Sequence, residues 1–316
     1  MKKNLLWITD PWSTLDYPND TTLRLMQEST QMGHVNFWCD VKSIRLENQK
    51  AHLTATQVIE VDEIRSEAAF TFAHPRTYSP DDFYQIHYRV DPPVDLAYLH
   101  PLQMIAAYSK KSQIINPPSI LFSANEKWEG MLLPKLTPPT LVSSDSATIL
   151  DFARKHEKLV LKPLHTAQSK GIELIDLKSE SIEAKRQIKL ASNGYKNPIQ
   201  LQKFLPKISV GETRLWFANG KLIAHATKLP IPGDFRVNID LGSIVEANRL
   251  SARDKKAASQ ISSHLKKRKI RLAAVDLIDG FITDFNFTSP GLIVQMEAAT
   301  GTNIARKIIQ SLVKKA

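Results

Sequence analysis

The chain has 316 residues, of which 42% are hydrophobic, and a formal net charge of +10; this length predicts two or three packed units. Its apolar runs are far shorter than the roughly 20 residues of a membrane helix, and its single cysteine, Cys39, excludes an intrachain disulfide and a cysteine zinc site. The N-terminal MKKNLLWITDP reaches Asp10 without the small-residue cleavage site of a signal peptide, so we expect a cytoplasmic protein with no membrane partner.

The excess of basic residues suits nucleic acid, an acidic membrane surface or small anionic substrates. The densest basic run, Lys266–Arg271, follows an amphipathic segment that begins at Ser251. Cations at the end of a helix complement its dipole, so we interpret this run as a solvated helix end, with a polyanion-binding patch as the alternative. The chain carries no helix-turn-helix, zinc-finger or RNA-binding aromatic motif, so nucleic acid is not the expected partner.

The first part of the chain alternates between predicted strands and helices. NLLWIT is a strand, Asp20 caps a helix that stops at Gly33, and VNFWCD is the next strand. Strand, helix and strand at this spacing favour a parallel α/β unit. Short strands with a turn at Asn48 follow, and RVDPPVD leads through an extended Pro-Pro loop into another helix.

Beyond a predicted boundary near Ile120, strands and helices alternate again, and Asn219-Gly220 is typical of a hairpin turn. The predicted elements are the strand PTLVSS, a helix at Asp145–Lys155, the strands KLVLKPL and IELIDL around the polar loop HTAQSKG, a helix at Ser179–Ala191, the strand PIQLQKFL, a polar loop at Pro230–Ser243, a helix before Arg271, a hairpin within Ala274–Pro290 and a final helix at Thr302–Lys314.

The predicted hairpin AVDLIDGFITDFNFTSP carries polar side chains within apolar strands, and its register decides where they point. A tight two-residue turn at Asp279-Gly280 would direct Asp276 away from Asp284. A three-residue loop at 278–280, with a left-handed glycine in a bulge, would instead place Asp276 opposite Ile282. The second register puts the polar residues on one face and the following aromatic residues on the other, so we predict it.

In that register, oxygen-bearing side chains share one face: Asp276, Asp284 and Asn286. Two converging carboxylates repel each other unless a cation lies between them. Two carboxylates and an amide oxygen are hard ligands that suit Mg²⁺ held partly by water and phosphate. The alternative interpretation is an edge strand whose polar residues face water.

Several stretches together resemble one known family in order and spacing. They are TDPWSTLDYPNDTTLRLMQESTQMGH, RVDPPVD, NPPSILFSANEKW, VLKPL, QKFLP, GETRLWFANGKLI and the hairpin AVDLIDGFITDFNFTSP. Nearly end to end, the chain resembles the bacterial glutathione synthetases of the ATP-grasp superfamily. Each motif alone is weak, whereas their combination is specific.

The resemblance implies an α/β ATP-grasp fold. It implies an N-terminal α/β (pre-ATP-grasp) substrate domain at 1–120, a lid subdomain at 121–203, and a C-terminal mixed-sheet subdomain with the metal site at 204–316. The family ligates a carboxylate to an amine: ATP phosphorylates γ-glutamylcysteine, and glycine attacks the acyl phosphate. The implied cofactors are ATP and Mg²⁺, with Mn²⁺ as an alternative. The implied partners are a small peptide and an amino acid, in a homo-oligomer that is a tetramer by resemblance.

The resemblance also implies site residues. Lys127 and Lys162 match lysines that reach the nucleotide phosphates, and Lys162 ends an apolar strand, so its ammonium group needs an anion or a route to solvent. The ATP-binding set is Lys127, Lys162, Lys170, the adenine-reading hinge Gln202, Lys203, Phe204 and Leu205, and the ribose-binding Glu212. The metal set is Asp276, Asp284 and Asn286, and the peptide-binding set is Arg89, Arg236, Asn238 and Ser289.

Two further residues match catalytic positions. Arg214 matches an arginine near the transferring phosphoryl group; its alternative role is an ion pair with Glu212 or another acid. Lys228 stands where an arginine is usual in the family, which removes a bidentate fork. Asp284 stands where a glutamate is usual and is one methylene shorter, which puts metal affinity in question.

The loops depart furthest from the family pattern. The phosphate-covering loop HTAQSKG keeps only Gly171, so His165, Ser169 or Lys170 would have to replace backbone amides as phosphate ligands. The second loop, PIPGDFRVNIDLGSIV, carries the bulky residues Phe235, Val237 and Ile239. These changes suit altered substrate choice, slowed turnover or lost activity. The alternative functions are therefore a weakened homologue that binds nucleotide or peptide, and a ligase for a different amino acid or peptide.

Overall fold

A computed structural model describes residues 2–166, 170–176 and 181–314, and these residues form three sheets. The N-terminal sheet contains β1 (Asn4–Thr9), β2 (Val35–Asp40), β3 (Arg45–Glu47), β4 (Lys50–Val61), β5 (Phe70–Phe72), β6 (Arg76–Tyr78), β7 (Gln85–Tyr88) and β8 (Gln113–Ile115). Its order is β3-β4-β2-β1-β7-β8, with β5 and β6 also paired to β4. The pairs β1–β2, β1–β7 and β7–β8 are parallel, which confirms the predicted parallel α/β unit.

Helices α1 (Thr21–Gln31), α2 (Leu96–Tyr108) and α3 (Pro118–Ser123) accompany this sheet. The predicted cap of α1 is confirmed, because the Asp20 carboxylate accepts hydrogen bonds from the backbone N–H groups of Thr22 and Leu23. These bonds satisfy donors that the first helical turn leaves without partners. The predicted turn at Asn48 is also present, between β3 and β4.

The second sheet is antiparallel, in the order β11-β10-β12-β9. It contains β9 (Thr140–Ser143), β10 (Lys158–Pro163), β11 (Glu173–Asp176) and β12 (Ile199–Lys203), with the helices α4 (Ser146–Lys155) and α5 (Ser181–Ala191). Strands and helices here follow the predicted order. We call this unit the lid. The predicted domain limits at residues 120 and 203 stay predictions.

The third sheet has the order β15-β14-β13-β16-β17. It contains β13 (Glu212–Ala218), β14 (Lys221–Leu229), β15 (Ile244–Glu246), β16 (Leu272–Ile278) and β17 (Phe281–Asn286), and its helices are α6 (Ala252–Arg268), α7 (Ile293–Thr300) and α8 (Ile304–Val313). We expected a mixed sheet, but all of these pairs are antiparallel. Two-residue turns join β13 to β14 and β16 to β17, and such turns connect only antiparallel strands. Sequence analysis missed α7. The two residues that flank this helix, Leu292 and Gly301, both have left-handed backbone conformations.

The packing of apolar side chains sets the lid apart from the rest. Residues of the N-terminal and C-terminal sheets share two buried clusters, of which one joins Ile86 to Phe285 and the other joins Trp7 to Trp216. The lid has a cluster of its own, which includes Leu161 and Leu201. The two outer units therefore form one body, and the lid is a separately packed layer over it. No helix in the described part of the chain is both long and apolar enough to cross a membrane.

His87 is a fully buried residue of β7 in the N-terminal sheet. Its ring stacks on Trp7, with 4.0 Å between the ring centroids and 15° between the ring planes. Within the described residues neither ring nitrogen has a hydrogen-bond partner. Burial lowers the pKa of His87 to about 3, and the nearby positive charges of Arg89 and Arg271 act in the same direction.

We predict that His87→Phe flattens the pH dependence of stability. Below the ordinary histidine pKa the unfolded chain binds a proton that folded His87 rejects, so the free energy of unfolding falls as pH drops toward 3. The slope is at most about 1.4 kcal/mol per pH unit for one group. Urea unfolding at about pH 7.5 and about pH 5 should show a loss about 2 kcal/mol larger for the wild type than for the variant. His100→Phe, at an exposed position of α2, should keep the wild-type slope; equal slopes in His87→Phe and wild type would contradict this prediction.

Candidate active site

One cavity of about 530 Å³ lies where the lid, the C-terminal sheet and the N-terminal unit meet. Apart from Lys127, the predicted site residues line it: Arg89, Lys162, Lys170, Gln202, Lys203, Phe204, Leu205, Glu212, Arg214, Lys228, Arg236, Asn238, Asp276, Asp284, Asn286 and Ser289. Residues far apart in the sequence are thus gathered at one place, while their individual roles stay predictions. His165 lines a smaller neighbouring pocket, and Ser169 lies outside the described residues.

The hairpin of β16 and β17 places its two acids side by side. Asp276 is the direct partner of Asp284 across the strand pair. The predicted three-residue loop and the pairing of Asp276 with Ile282 are wrong. The turn is the two-residue Asp279-Gly280, with φ values of 51° and 78°, and the extra residue lies in β17 at Thr283, where the register shifts. This bulge restores the common face that a regular hairpin would have lost.

Contacts to neighbouring segments explain the position of the bulge. The backbone N–H of Ile282 donates to the carbonyl of Leu136 at 2.7 Å, outside the sheet. The Thr283 hydroxyl forms a short hydrogen bond to the Glu212 carboxylate and lies 3.1 Å from the carbonyl of Asp276. Thr283, the extra residue, is therefore held by Glu212 on β13 and by Asp276 on β16.

Asp276 is a buried carboxylate held by two cations. Arg214 donates to both of its oxygens, Nε to Oδ1 at 2.8 Å and Nη2 to Oδ2 at 2.7 Å, and Lys228 Nζ lies 3.0 Å from Oδ2. The pairing of β13 with β16 places Arg214 opposite Asp276. Burial would raise the pKa of Asp276, but Arg214 and Lys228 hold it well below its ordinary value. In this conformation Arg214 therefore forms the ion pair that was its alternative role, and its partner is Asp276.

Lys228 also forms an ion pair with a second acid, Glu212. Its Nζ lies 2.8 Å from Glu212 Oε2, and the two residues are partners across β13 and β14. One ammonium group therefore bridges Glu212 and Asp276. An ammonium group can divide its donors between two separated carboxylates, whereas a guanidinium fork favours one bidentate partner.

Asp284 is neutralised by Lys127. Lys127 Nζ lies 2.9 and 3.0 Å from the two carboxylate oxygens of Asp284. Burial would lower the pKa of Lys127, but Asp284 and then Glu126 raise it overall. Because Lys127 lies behind Asp284 rather than on the cavity wall, contact with a phosphate requires it to leave this carboxylate.

Lys162 is buried on the cavity wall with neutral acceptors. Its Nζ donates to the Thr283 carbonyl at 2.5 Å and to Gln202 Oε1 at 3.2 Å. No direct ion pair involves it within the described residues. Burial lowers its pKa, and Asp284 partly offsets this effect. A buried ammonium group of this kind gains most from an anion brought by a ligand.

The hinge and the second loop face each other across the cavity. Gln202 and Lys203 end β12, and Phe204 contacts Phe235 edge to face, with ring centroids 6.1 Å apart. Arg236, in the same loop as Phe235, pairs with Asp234 at 2.7 Å. The loop thus places both an aromatic ring and a cation at the cavity.

Sequence analysis missed Glu126 and the aspartates of the N-terminal wall. Glu126 Oε1 accepts hydrogen bonds from the backbone N–H of Phe287 at 2.6 Å and of Thr288 at 2.7 Å, which fixes the segment that carries Ser289. Burial raises the pKa of Glu126. The signal was an acid directly before the predicted phosphate lysine. For Asp10, which lines the cavity, the signal was an acid at the end of an apolar strand.

The donors on the hairpin fit a magnesium ion. Within the described ranges, no group of three or more histidine, cysteine, aspartate or glutamate side chains is arranged to hold a metal. The wall instead offers two carboxylates, Asp276 and Asp284, with the amide of Asn286 next to them. This is the donor set of a cation that is bound through one or two carboxylates and completed by water and phosphate oxygens.

Solved structures identify the fold of this chain. D-cycloserine synthetase DcsG aligns with a TM-score of 0.66 and 15% identity, covering 97% of this chain and 98% of that structure. The RimK domain protein ATP-grasp from Sphaerobacter thermophilus aligns with a TM-score of 0.61 and 14% identity, covering 98% and 100%. The fold is therefore the ATP-grasp fold.

Sequence relationships identify the family. The profile of the prokaryotic glutathione synthetase N-terminal domain matches residues 4–121, and that of the ATP-grasp domain of the same enzymes matches residues 126–301. A glutathione synthetase of Prochlorococcus marinus subsp. pastoris is 27% identical over 98% of both chains, and one of Bradyrhizobium diazoefficiens is 26% identical over 100% of this chain and 99% of its own. The chain belongs to the prokaryotic glutathione synthetase family and is an ATP-dependent ligase that forms peptide bonds.

We predict that the divalent metal binds well only together with the nucleotide. Asp276 and Asp284 are neutralised by Arg214, Lys228 and Lys127, and phosphate groups would draw these cations away. The free Mn²⁺ signal in electron paramagnetic resonance should show little binding to protein alone. With a non-hydrolysable ATP analogue, affinity should rise about tenfold or more above that of the analogue itself.

Two variants on the same hairpin control this measurement. Asp276→Asn should lose the gain in Mn²⁺ affinity. Asp279→Asn should keep it, because asparagine tolerates the left-handed conformation of the turn and Asp279 contacts Arg253 and Lys207 rather than the cavity. Equal Mn²⁺ affinity with and without the analogue would contradict the prediction.

Proposed function

We propose that this ligase joins γ-glutamylcysteine to glycine, with ATP converted to ADP and phosphate, and thus acts as a glutathione synthetase. The observation that carries the proposal is the buried ammonium group of Lys162, which has only neutral acceptors and faces the paired carboxylates Asp276 and Asp284. A triphosphate with a divalent cation supplies the anion that Lys162 lacks, and the divalent cation takes the place beside the two acids of the protein cations that the phosphates draw away.

In the proposed mechanism, cations act where negative charge develops. Lys162 and Lys127 bind the nucleotide phosphates, and Arg214 and Lys228 lie beside the phosphoryl group in transfer. An oxygen of the peptide carboxylate attacks the terminal phosphorus, the bond to ADP breaks, and an acyl phosphate forms. Asp276, Asp284 and Asn286 would hold Mg²⁺, which neutralises phosphate charge when bound.

The second half of the reaction forms the amide. The glycine nitrogen attacks the acyl carbon, inorganic phosphate leaves with the carbon–oxygen bonding electrons, and the nitrogen loses a proton. Water must be excluded during this step, because it would hydrolyse the acyl phosphate. The lid, with its separate core, and the loop that carries Phe235 and Arg236 are the elements proposed to close over the cavity.

Two alternatives follow from particular residues. The cavity is lined by the bulky side chains of Phe235, Val237 and Ile239. These side chains favour an acceptor amino acid or peptide other than glycine. The single glycine of HTAQSKG favours a weakened homologue that binds nucleotide without rapid turnover. A cytoplasmic location and a homotetramer stay predictions from the sequence.

We predict ADP release that depends on both γ-glutamylcysteine and glycine, and a product of the mass of glutathione. Asp276→Asn should lower kcat about 100-fold or more, because a phosphoryl-transfer site loses a metal ligand, while ADP binding stays within about threefold of wild type. The measurements are a coupled ADP assay with mass spectrometry of the product, and calorimetry with ADP.

Asp279→Asn is the matched control and should keep the wild-type rate. Thermal unfolding of both variants shows whether they are folded, since removing one partner of a buried ion pair costs about 3–5 kcal/mol. Nucleotide binding without turnover across a panel of dipeptides and amino acids would favour the weakened homologue. An unchanged rate in Asp276→Asn would contradict the metal assignment.

A further inference from the structure

The chain passes from the body to the lid through residues 125–139, which lie between α3 and β9. We call this segment the connector. It reaches the paired acids of the cavity through Lys127, whose Nζ lies 2.9 Å from a carboxylate oxygen of Asp284. It also supports the bulge of β17, because the Leu136 carbonyl accepts a hydrogen bond from the Ile282 N–H at 2.7 Å. The connector therefore sets the position of one cation of the site and of one strand that carries an acid.

Glu129 is an acid of the connector that does not line the central cavity and is 0% exposed. Its Oε1 accepts hydrogen bonds from His264 Nε2 at 2.7 Å and from Arg268 Nε at 2.8 Å, and its Oε2 accepts one from Arg268 Nη2 at 3.2 Å. Burial would raise the pKa of Glu129, but the hydrogen bonds from His264 and then Arg268 lower it overall. The carboxylate is therefore charged at neutral pH and held on both oxygens. We call Glu129, His264 and Arg268 the clamp.

Both donors of the clamp come from α6, which is firmly attached to the body. Ile261 and Leu265 of this helix are fully buried and belong to the same apolar cluster as Phe285 of β17. His264 itself contacts Phe285 edge to face, with ring centroids 5.9 Å apart. The clamp therefore ties the connector to a helix that contacts the strand of Asp284, and it does so from outside the lid.

Glu129 and Lys127 lie in one turn of the backbone. The N–H of Glu129 donates to the Asn125 carbonyl at 2.9 Å, and the N–H of Lys127 donates to Asn125 Oδ1 at 2.9 Å. Gly130, the next residue, packs so closely on Ile282 that an added Cβ would lie 2.8 Å from the Cγ2 of that side chain. The backbone of Lys127 is thus fixed against the body, while its long flexible side chain can move from one oxygen anion to another.

We propose that Glu129 is a positioning residue for Lys127. Held by the two donors of α6, it fixes the backbone of Lys127 at a place from which the ammonium group reaches Asp284 and, once a nucleotide binds, a phosphate. A loosened clamp leaves Asp284 without a steady counter-ion and the phosphates without a pre-positioned cation. Binding of metal alone and of nucleotide alone therefore respond to the loss of the clamp in opposite directions. The inference rests on the proposed function only through the nucleotide and metal roles of Lys127 and Asp284.

Two binding measurements that need no turnover test the clamp. Glu129→Gln places an amide nitrogen, which is a donor, among the donors of α6 and should loosen the connector. Electron paramagnetic resonance of Mn²⁺ with protein alone should show about fivefold tighter binding in the variant than in wild type, because Asp284 is less well neutralised. Calorimetry with a non-hydrolysable ATP analogue, without divalent metal, should show about fivefold weaker binding, because Lys127 is no longer pre-positioned. A merely structural defect would weaken both.

Variants of α6 separate the clamp from folding. Arg268→Gln should shift both affinities in the same directions as Glu129→Gln, and it replaces a partly exposed side chain rather than a buried one. Arg268→Lys keeps the charge and should stay closer to wild type than Arg268→Gln in both measurements. Lys267→Gln removes an exposed charge from the same turn of the helix and should change neither affinity. Adding Asp284→Asn to Glu129→Gln should abolish the gain in Mn²⁺ affinity, because the gain arises at Asp284.

The outcomes distinguish this inference from the proposed function. Unchanged affinities in Glu129→Gln and Arg268→Gln, or weaker binding of both ligands, would overturn the positioning role even if wild type forms glutathione. A gain in Mn²⁺ affinity that survives Asp284→Asn would overturn it as well. The two opposite shifts, in a protein that forms no glutathione, would support the clamp and overturn the proposed substrates. If thermal unfolding shows that Glu129→Gln is not folded, Arg268→Gln decides by the same shifts.

Discussion

The buried carboxylate of Asp276 is the constraint on which the site depends. A charge removed from water is tolerated only when it is paired and hydrogen-bonded, and here the bidentate contact from Arg214 and the ammonium group of Lys228 meet that requirement. The three residues come from adjacent strands of one sheet, so the ion pairs and the sheet register support each other. The same register presents Asp284 next to Asp276, because the bulge at Thr283 absorbs the extra residue.

This arrangement leaves the site charged in a particular way. Lys127, Arg214 and Lys228 each contact a carboxylate, whereas Lys162 contacts only neutral oxygens. A triphosphate entering the cavity would therefore meet one unpaired ammonium group first and compete for the others afterwards. The substitution of lysine for the usual arginine at 228 is consistent with this network, since its single nitrogen contacts both Glu212 and Asp276.

Polar contacts join the lid to the body below it. Asn125 donates to the Leu164 carbonyl, Gln200 forms a short hydrogen bond to the Lys127 carbonyl, and Lys162 donates to the Thr283 carbonyl. Apolar packing within the lid forms a separate cluster. Hydrogen bonds are exchanged with water more readily than buried apolar surface is exposed, so this junction suits a unit that opens and closes over a nucleotide.

Much of the site could be predicted because its residues carry local signals. Apolar periodicity, the Asp20 cap and the Asn219-Gly220 turn each depend on near neighbours in the chain, and the family motifs supplied the candidate residues that now line one cavity. The turn at Asp279-Gly280 was mispredicted because the bulge at Thr283 depends on Leu136 and Glu212, which are distant in sequence. Helix α7 was missed because left-handed Leu292 begins it without a capping side chain.

The sequence by itself determined the order of the strands and helices apart from α7, the ATP-grasp family and the acids and bases available for chemistry, since these follow from local periodicity and from motif order. Only the tertiary structure decided which cation neutralises which acid, that Lys127 lies behind Asp284, and that Asp10, Asp20 and Asp91 share a wall with Arg89. The physical reason is that ion pairing and desolvation depend on distances of a few ångströms between residues that are far apart along the chain, and no local pattern encodes those distances.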